Sequence, residues 1–122
     1  MTRIVLAEDN QDIRELIVMT LERQRYDVVA CATGDQALQD CLEETPDLVL
    51  LDVSMPGRLD GLDVTRSLRA DARTAKVPVI LLTARAQEAD VLSGMTAGAN
   101  DYLVKPFSPR QLVARIAALI SP

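Results

Sequence analysis

Residues 47–52 read Asp-Leu-Val-Leu-Leu-Asp, four consecutive aliphatic side chains closed off by an aspartate at each end. A strand with one wet face alternates apolar and polar residues. An unbroken apolar run is what a parallel strand covered on both faces requires. The same signature stands on either side, as IVLA at residues 4–7 and VPVILL at residues 77–82. Two shorter runs complete a set of five predicted strands, spanning residues 3–7, 27–31, 47–52, 77–83 and 101–104.

The intervals carry apolar residues at helical spacing. Residues 12–24 bring Ile13, Leu16, Ile17 and Leu21 together, and residues 35–43 bring Ala37, Leu38 and Leu42. Residues 62–68 supply Leu62, Val64 and Leu68; residues 87–97 supply Val91, Leu92 and Met95. The last helix, residues 109–120, carries Leu112, Ile116, Leu119 and Ile120. Ser108 is placed to cap it, with Pro109 at the first helical position, where no amide hydrogen is needed. Gly34, Gly61 and Gly98 fall near helix ends. Strands alternating with helices predict a doubly wound α/β fold, a (βα)5 three-layer sandwich around a five-stranded parallel sheet. The 122 residues suit one domain, residues 1–122. The last predicted helix ends two residues before the sequence does, so no output domain is expected within it.

Composition narrows the function. Apolar residues make up 48% and charged residues 25%, ordinary values for a soluble globule. No apolar run approaches the ~20 residues of a membrane span. The N-terminal apolar stretch is too short for a signal peptide, so a cytoplasmic protein is expected. A net charge of −5 and only Tyr26, Tyr102 and Phe107 as aromatics argue against nucleic-acid binding. With no histidine, and with Cys31 and Cys41 well separated, a zinc site is not expected; the thiols read as reduced and structural.

In sheets of this kind ligands bind beyond the carboxyl ends of the strands. There the first strand delivers Glu8 and Asp9, the third Asp52, the fourth Thr83, and the fifth Lys105 followed by Pro106. The second ends in Cys31 and Ala32 and offers nothing obvious. Three clustered carboxylates repel one another. A hard divalent cation resolves that repulsion, and an all-oxygen donor set suits Mg²⁺, or Mn²⁺ in its place. Metal and ammonium together describe a pocket for a phosphoryl group, and an aspartate can take that group as an acyl phosphate.

Five motifs, each at a strand end, carry a family resemblance: LAEDN (6–10), LLDVSMPG (50–57), DGL (60–62), PVILLTA (78–84) and AGANDYLVKPF (97–107). The chain resembles the bacterial response-regulator receiver family of two-component signalling, CheY-like and flavodoxin-like in fold. The resemblance implies that Asp52 accepts a phosphoryl group from a histidine kinase or phosphotransfer protein. Asp9 and Asp52 would bind Mg²⁺ directly, Glu8 through water, and Ser54 through its backbone carbonyl. Thr83 would donate its hydroxyl to a phosphoryl oxygen and Lys105 would pair with the group. The Lys105–Pro106 bond would be cis, which proline makes accessible. Thr83 and Tyr102 would form a switch pair that remodels the surface of the fourth helix, fifth strand and fifth helix for a downstream target or output domain. Ser54 and Arg85 would tune dephosphorylation. Such a module is not an enzyme on other substrates; it catalyses only its own phosphotransfer and dephosphorylation. It is expected to touch neither nucleic acid nor membrane directly, as a free-standing regulator or a receiver cut from a longer one.

Two other classes fit less well. An aspartate-nucleophile phosphatase carries a second aspartate two residues after the first, where this chain has Ser54. A flavin binder needs a phosphate-binding loop after the first strand, where Glu8 and Asp9 would repel the phosphate.

The sequence departs from the family pattern in two places. Gly57-Arg58-Leu59 separates Pro56 from Asp60, one residue more than in many relatives, so the loop is expected to bulge. Asp60 is expected to cap the third helix. AGANDYLVKPFSPRQLVAR resembles the winged-helix class, which dimerises through charged pairs. Asp90, Asp101, Arg110 and Arg115 match that set, while Val91, Asn100 and Gln111 depart from it. The expectation is a monomer or a weak phosphorylation-dependent dimer. Arg14, Arg23, Arg66, Arg69 and Arg73 read as solvated charges, and Met19, Met55 and Met95 as core or loop filler.

Overall fold

The computed structural model describes residues 1–84 and 88–120. In order these form β1 (Arg3–Ala7), α1 (Gln11–Arg23), β2 (Asp27–Cys31), α2 (Gly34–Glu43), β3 (Leu48–Asp52), α3 (Gly61–Ala70), β4 (Val79–Thr83), α4 (Glu88–Ala97), β5 (Asp101–Val104) and α5 (Pro109–Ile120). Every predicted element is present, β1, β2, β5 and α5 with the expected bounds and the others with ends moved by at most two residues. β4 starts at Val79 because Pro78 has no amide hydrogen for the ladder; it contributes only its carbonyl, which accepts from Val49 N at 2.9 Å.

The five strands form one parallel sheet in the order β2-β1-β3-β4-β5. Successive side chains point to opposite faces, which divides the apolar runs between two cores. Val5, Val49, Leu51, Val79 and Leu81 pack with Ala37, Cys41, Val64 and Leu68 from α2 and α3. Ile4, Leu6, Leu48, Leu50, Ile80 and Leu82 pack with Ile17, Leu21, Leu112 and Ile116 from α1 and α5. Each wholly buried Leu or Ile contributes about 2 kcal/mol. Burial on both faces is why the runs are continuous.

Side-chain caps start α1, α2, α3 and α5. Asn10 accepts from Ile13 N at 3.0 Å, and Thr33 from Gln36 N at 3.2 Å. Asp60 caps α3 in a reciprocal box with Asp63. Ser108 accepts from Gln111 N at 3.1 Å while Gln111 Oε1 accepts from Ser108 N at 2.9 Å, so glutamine closes the box as glutamate would. Both cysteines are free, and burial pushes Cys31 up to about 11 and Cys41 to about 12, which keeps them protonated at neutral pH.

Four expectations need correction. Leu16 and Met19 are 54% exposed, because α1 faces the sheet through Ile17 and Leu21, and Leu16 sits about 100° round the helix from Ile17. Leu92 and Met95 are exposed as well; α4 lies on the sheet through the small residues Gly94 and Ala97. Arg69 is not a solvated charge. Its Nε donates to Gly98 O at 2.9 Å, its Nη1 to Val77 O at 2.7 Å and its Nη2 to Asn100 Oδ1 at 2.8 Å. It joins the end of α3 to the turns before β4 and β5, and its contacts with the latter span 29 and 31 residues that no local pattern encodes. Arg14 is likewise half-buried, its Nη1 donating to Glu8 O at 2.8 Å. Arg23, Arg66 and Arg73 are exposed, and Met55 is buried.

Candidate functional site

All strands point the same way, so their carboxyl ends share one edge. Strand order reverses between β1 and β3, and a crevice opens at such a switch point. Glu8 follows β1, Asp52 closes β3, Thr83 closes β4, and Lys105 follows β5. Main-chain bonds hold these ends together: Glu8 N donates to Cys31 O at 3.1 Å, Val53 N to Leu82 O at 2.9 Å, and Lys105 N to Thr83 O at 2.7 Å.

The side chains converge. Glu8 has no exposed surface and Asp52 only 5%, while Asp9 is exposed. Carboxylate oxygens of all three lie within 4.8 Å of one another. Lys105 Nζ stands 2.5 Å from Glu8 Oε1 and 3.5 Å from Asp52 Oδ2. Glu8 Oε2 accepts from Asn10 N at 3.2 Å, and Asp52 Oδ1 from Ser54 N at 3.2 Å.

Three acids against one ammonium leave negative charge in excess, and the titration reflects it. Burial, then hydrogen bonds with Glu8 and Asp9, then the charge of Glu8 push Asp52 up to about 7 against the pull of Lys105. Burial also acts upward on Asp9, but hydrogen bonds with Asp52, Glu8 and its own backbone, together with the Lys105 charge, hold it below the ordinary carboxylate value. Asp52 holds its proton to a higher pH because neighbouring carboxylates resist ionising side by side. An all-oxygen donor set with surplus charge fits a hard divalent cation such as Mg²⁺.

Thr83 is buried at the end of β4. Tyr102 pairs with Leu81 in the register, two positions before Thr83, so Thr83 and Tyr102 share the sheet face beneath α4. The Tyr102 ring lies against α4; a Cβ on Gly94 would come within 3.2 Å of its Cδ2. Ser54 is exposed beside Asp52, and the Lys105–Pro106 peptide is cis. Arg85 and the side chain of Asp90 lie outside the described residues.

Two contributors were not anticipated. Asn10 both caps α1 and gives its amide to Glu8. Gly61, read only as a turn residue, seats α3 on the main chain of Asp52: a Cβ there would lie 2.4 Å from Asp52 O, and its N–H donates to Val53 O at 3.1 Å. The glycine of the DGL motif was the available signal.

A family model for the response regulator receiver domain matches residues 4–117. The transcriptional regulatory protein ResD of Bacillus subtilis is 44% identical over 119 residues, 98% of this chain and 48% of ResD. The DNA-binding response regulator MtrA of Mycobacterium tuberculosis is 42% identical over 116 residues, 95% of this chain and 49% of MtrA. Among solved structures, the receiver domain of the sensor histidine kinase PA1611 from Pseudomonas aeruginosa superposes with a TM-score of 0.91 at 36% identity. That match covers 99% of this chain and 98% of the other, whose structure has a magnesium ion coordinated in its active site cleft. A receiver domain is a signalling module, and this chain belongs to the response regulator receiver family, with the CheY-like fold. It spans about half the length of the curated relatives it matches. No helix among the described residues is long and apolar enough to cross a membrane.

Proposed function

We propose that this domain is a phosphorylation switch in which Asp52 takes a phosphoryl group from phosphohistidine of a kinase or phosphotransfer protein. A carboxylate oxygen of Asp52 attacks phosphorus, the P–N bond breaks, and the imidazole leaves with the electron pair. The observation that carries this reading is the convergence of Glu8, Asp9 and Asp52 around the Lys105 ammonium at the strand ends. Asp9, Asp52 and the Ser54 carbonyl would hold Mg²⁺, with Glu8 bound through water. When bound, the ion offsets charge on the phosphoryl oxygens. Lys105 pairs with the transferred group and Thr83 donates its hydroxyl to it. Thr83 and Tyr102 share the face beneath α4, which supports their role as the pair that reports the event to α4, β5 and α5. Ser54 and Arg85 set access of water to the acyl phosphate and hence its lifetime.

Residues 1–122 act as one receiver unit in the cytoplasm, as a monomer or a weak dimer of the phosphorylated form. Arg115 and Asp101, both candidates for dimer pairs, bond to each other within the chain at 2.8 Å. Relatives named as DNA-binding are about twice this length, and we assign any DNA contact to a region beyond this acidic domain.

Incubation with acetyl phosphate or phosphoramidate tests the reading. The wild type should take up acid-stable, hydroxylamine-labile phosphate, EDTA should block it, and Asp52→Asn should abolish it. Undiminished labelling of Asp52→Asn overturns the assignment.

A further inference from the structure

The loop of residues 53–60 carries Ser54 past the acids and returns to α3. Its crest is Gly57, at φ +99°, then Arg58 and Leu59. The crest is tied to another helix. Leu59 N donates to Asp35 Oδ1 at 3.2 Å, and Arg58 Nε lies 3.5 Å from Asp35 Oδ2. Asp35 sits in the first turn of α2, where the helix dipole favours a carboxylate. Beside it, Gly34 lets two main chains meet: a Cβ there would fall 2.4 Å from Leu59 O and 2.9 Å from Val64 Cγ2. The Leu59 side chain packs onto the core under α2 and α3. At the loop's other end Gly61 is seated on Asp52. The loop is therefore clamped at its base by Gly61 and at its crest by the start of α2.

The two contacts of Asp35 are unequal. Arg58 is 82% exposed and its pair is long, so water screens it and it contributes little. The Leu59 amide donates a main-chain hydrogen bond that spans 24 residues of sequence and asks only for an oxygen acceptor at position 35, charged or neutral.

We propose that Asp35 is a positioning residue for the metal site: by holding the Leu59 amide it fixes the loop that presents the Ser54 carbonyl beside Asp52. This rests on the reading of the acids as a Mg²⁺ site. The extra residue at 57–59 is then what lets the crest reach α2.

Calorimetric titration of the domain with Mg²⁺, paired with hydrogen exchange at the Leu59 amide, tests it. Asp35→Ala should weaken Mg²⁺ binding about threefold to tenfold and speed exchange at Leu59. Phosphoryl uptake at saturating Mg²⁺ should return to the wild-type rate. Asp35→Asn, which keeps an acceptor, and Arg58→Ala should both stay within about twofold of wild type. Deletion of Arg58 shortens the crest from the loop side and carries the same expectation as Asp35→Ala, should that variant fail to fold. Wild-type Mg²⁺ affinity in Asp35→Ala, or in the deletion, overturns the proposal while leaving the acidic site intact. A wild type that binds no Mg²⁺ overturns the reading of the acids and the proposal with it.

Discussion

Lys105 Nζ leans toward Glu8 rather than Asp52, at 2.5 Å against 3.5 Å. Glu8 is wholly buried, and a buried carboxylate persists only when paired and hydrogen-bonded. The ammonium thus makes the burial of Glu8 tolerable while staying within reach of Asp52.

Removal of that cation should cost stability before it affects signalling. Lys105→Met leaves the buried Glu8 beside the Asn10 amide and two further acids with no cation, and should destabilise the metal-free protein by about 3 kcal/mol. Adding Glu8→Gln should recover much of the loss, because the uncompensated charge goes with it. Urea denaturation in EDTA measures both; equal midpoints for wild type and Lys105→Met would contradict the pairing.

Stability of the metal-free protein should fall as pH rises. Asp52 titrates at about 7 in the fold against an ordinary 3.8, so the folded state holds its proton more tightly than the unfolded chain does. Its contribution is complete below 3.8 and is lost as pH climbs through about 7. Asp9 acts in the opposite sense: its pKa is depressed, so its contribution stands above 3.8 and disappears only in stronger acid. Mg²⁺ competes with the proton on Asp52 and should therefore raise Tm more at about pH 8 than at about pH 5. Asp52→Asn should flatten the neutral part of the profile. A metal-free Tm that climbs steadily from about pH 5 to 8 would refute the crowding of these acids.

Arg69 should matter to stability more than any charge on an open helix face. Its guanidinium serves the carbonyls of Gly98 and Val77 and the amide oxygen of Asn100. Arg69→Ala strands those acceptors and should cost about 2 kcal/mol or more, and Arg69→Lys should not restore it, since one ammonium cannot span the three. Asn100→Asp keeps the acceptor for Val79 N and adds a charge opposite Arg69, for a gain of up to about 1 kcal/mol. Thermal melts of the three variants decide the matter.

What the sequence revealed and what it hid divide along a physical line. Continuous runs such as LVLL record burial on both faces of a strand, and the strand ends then name the acids, so fold and candidate site were readable together. The Ser108 cap was readable because capping is local, while its closure by Gln111 was not anticipated. Arg69 was not: its partners Gly98 and Asn100 come from a distant turn, and its place on a helix face looked like any solvated arginine. Leu16, Met19 and Leu92 misled in the other direction, since helical spacing marks a stripe without saying how wide the sheet beneath it is. The total burial of Glu8 was hidden too, because it depends on a lysine 97 residues away.

Gly61 rests on the carbonyl of Asp52 itself, so the main chain beneath that carboxylate bears the weight of a whole helix. Asp52 stands on a fixed footing: shifting its backbone would drag α3 along. Were a charged group to arrive there, the response would be cheapest elsewhere, in side chains that can turn while the anvil under them stays still.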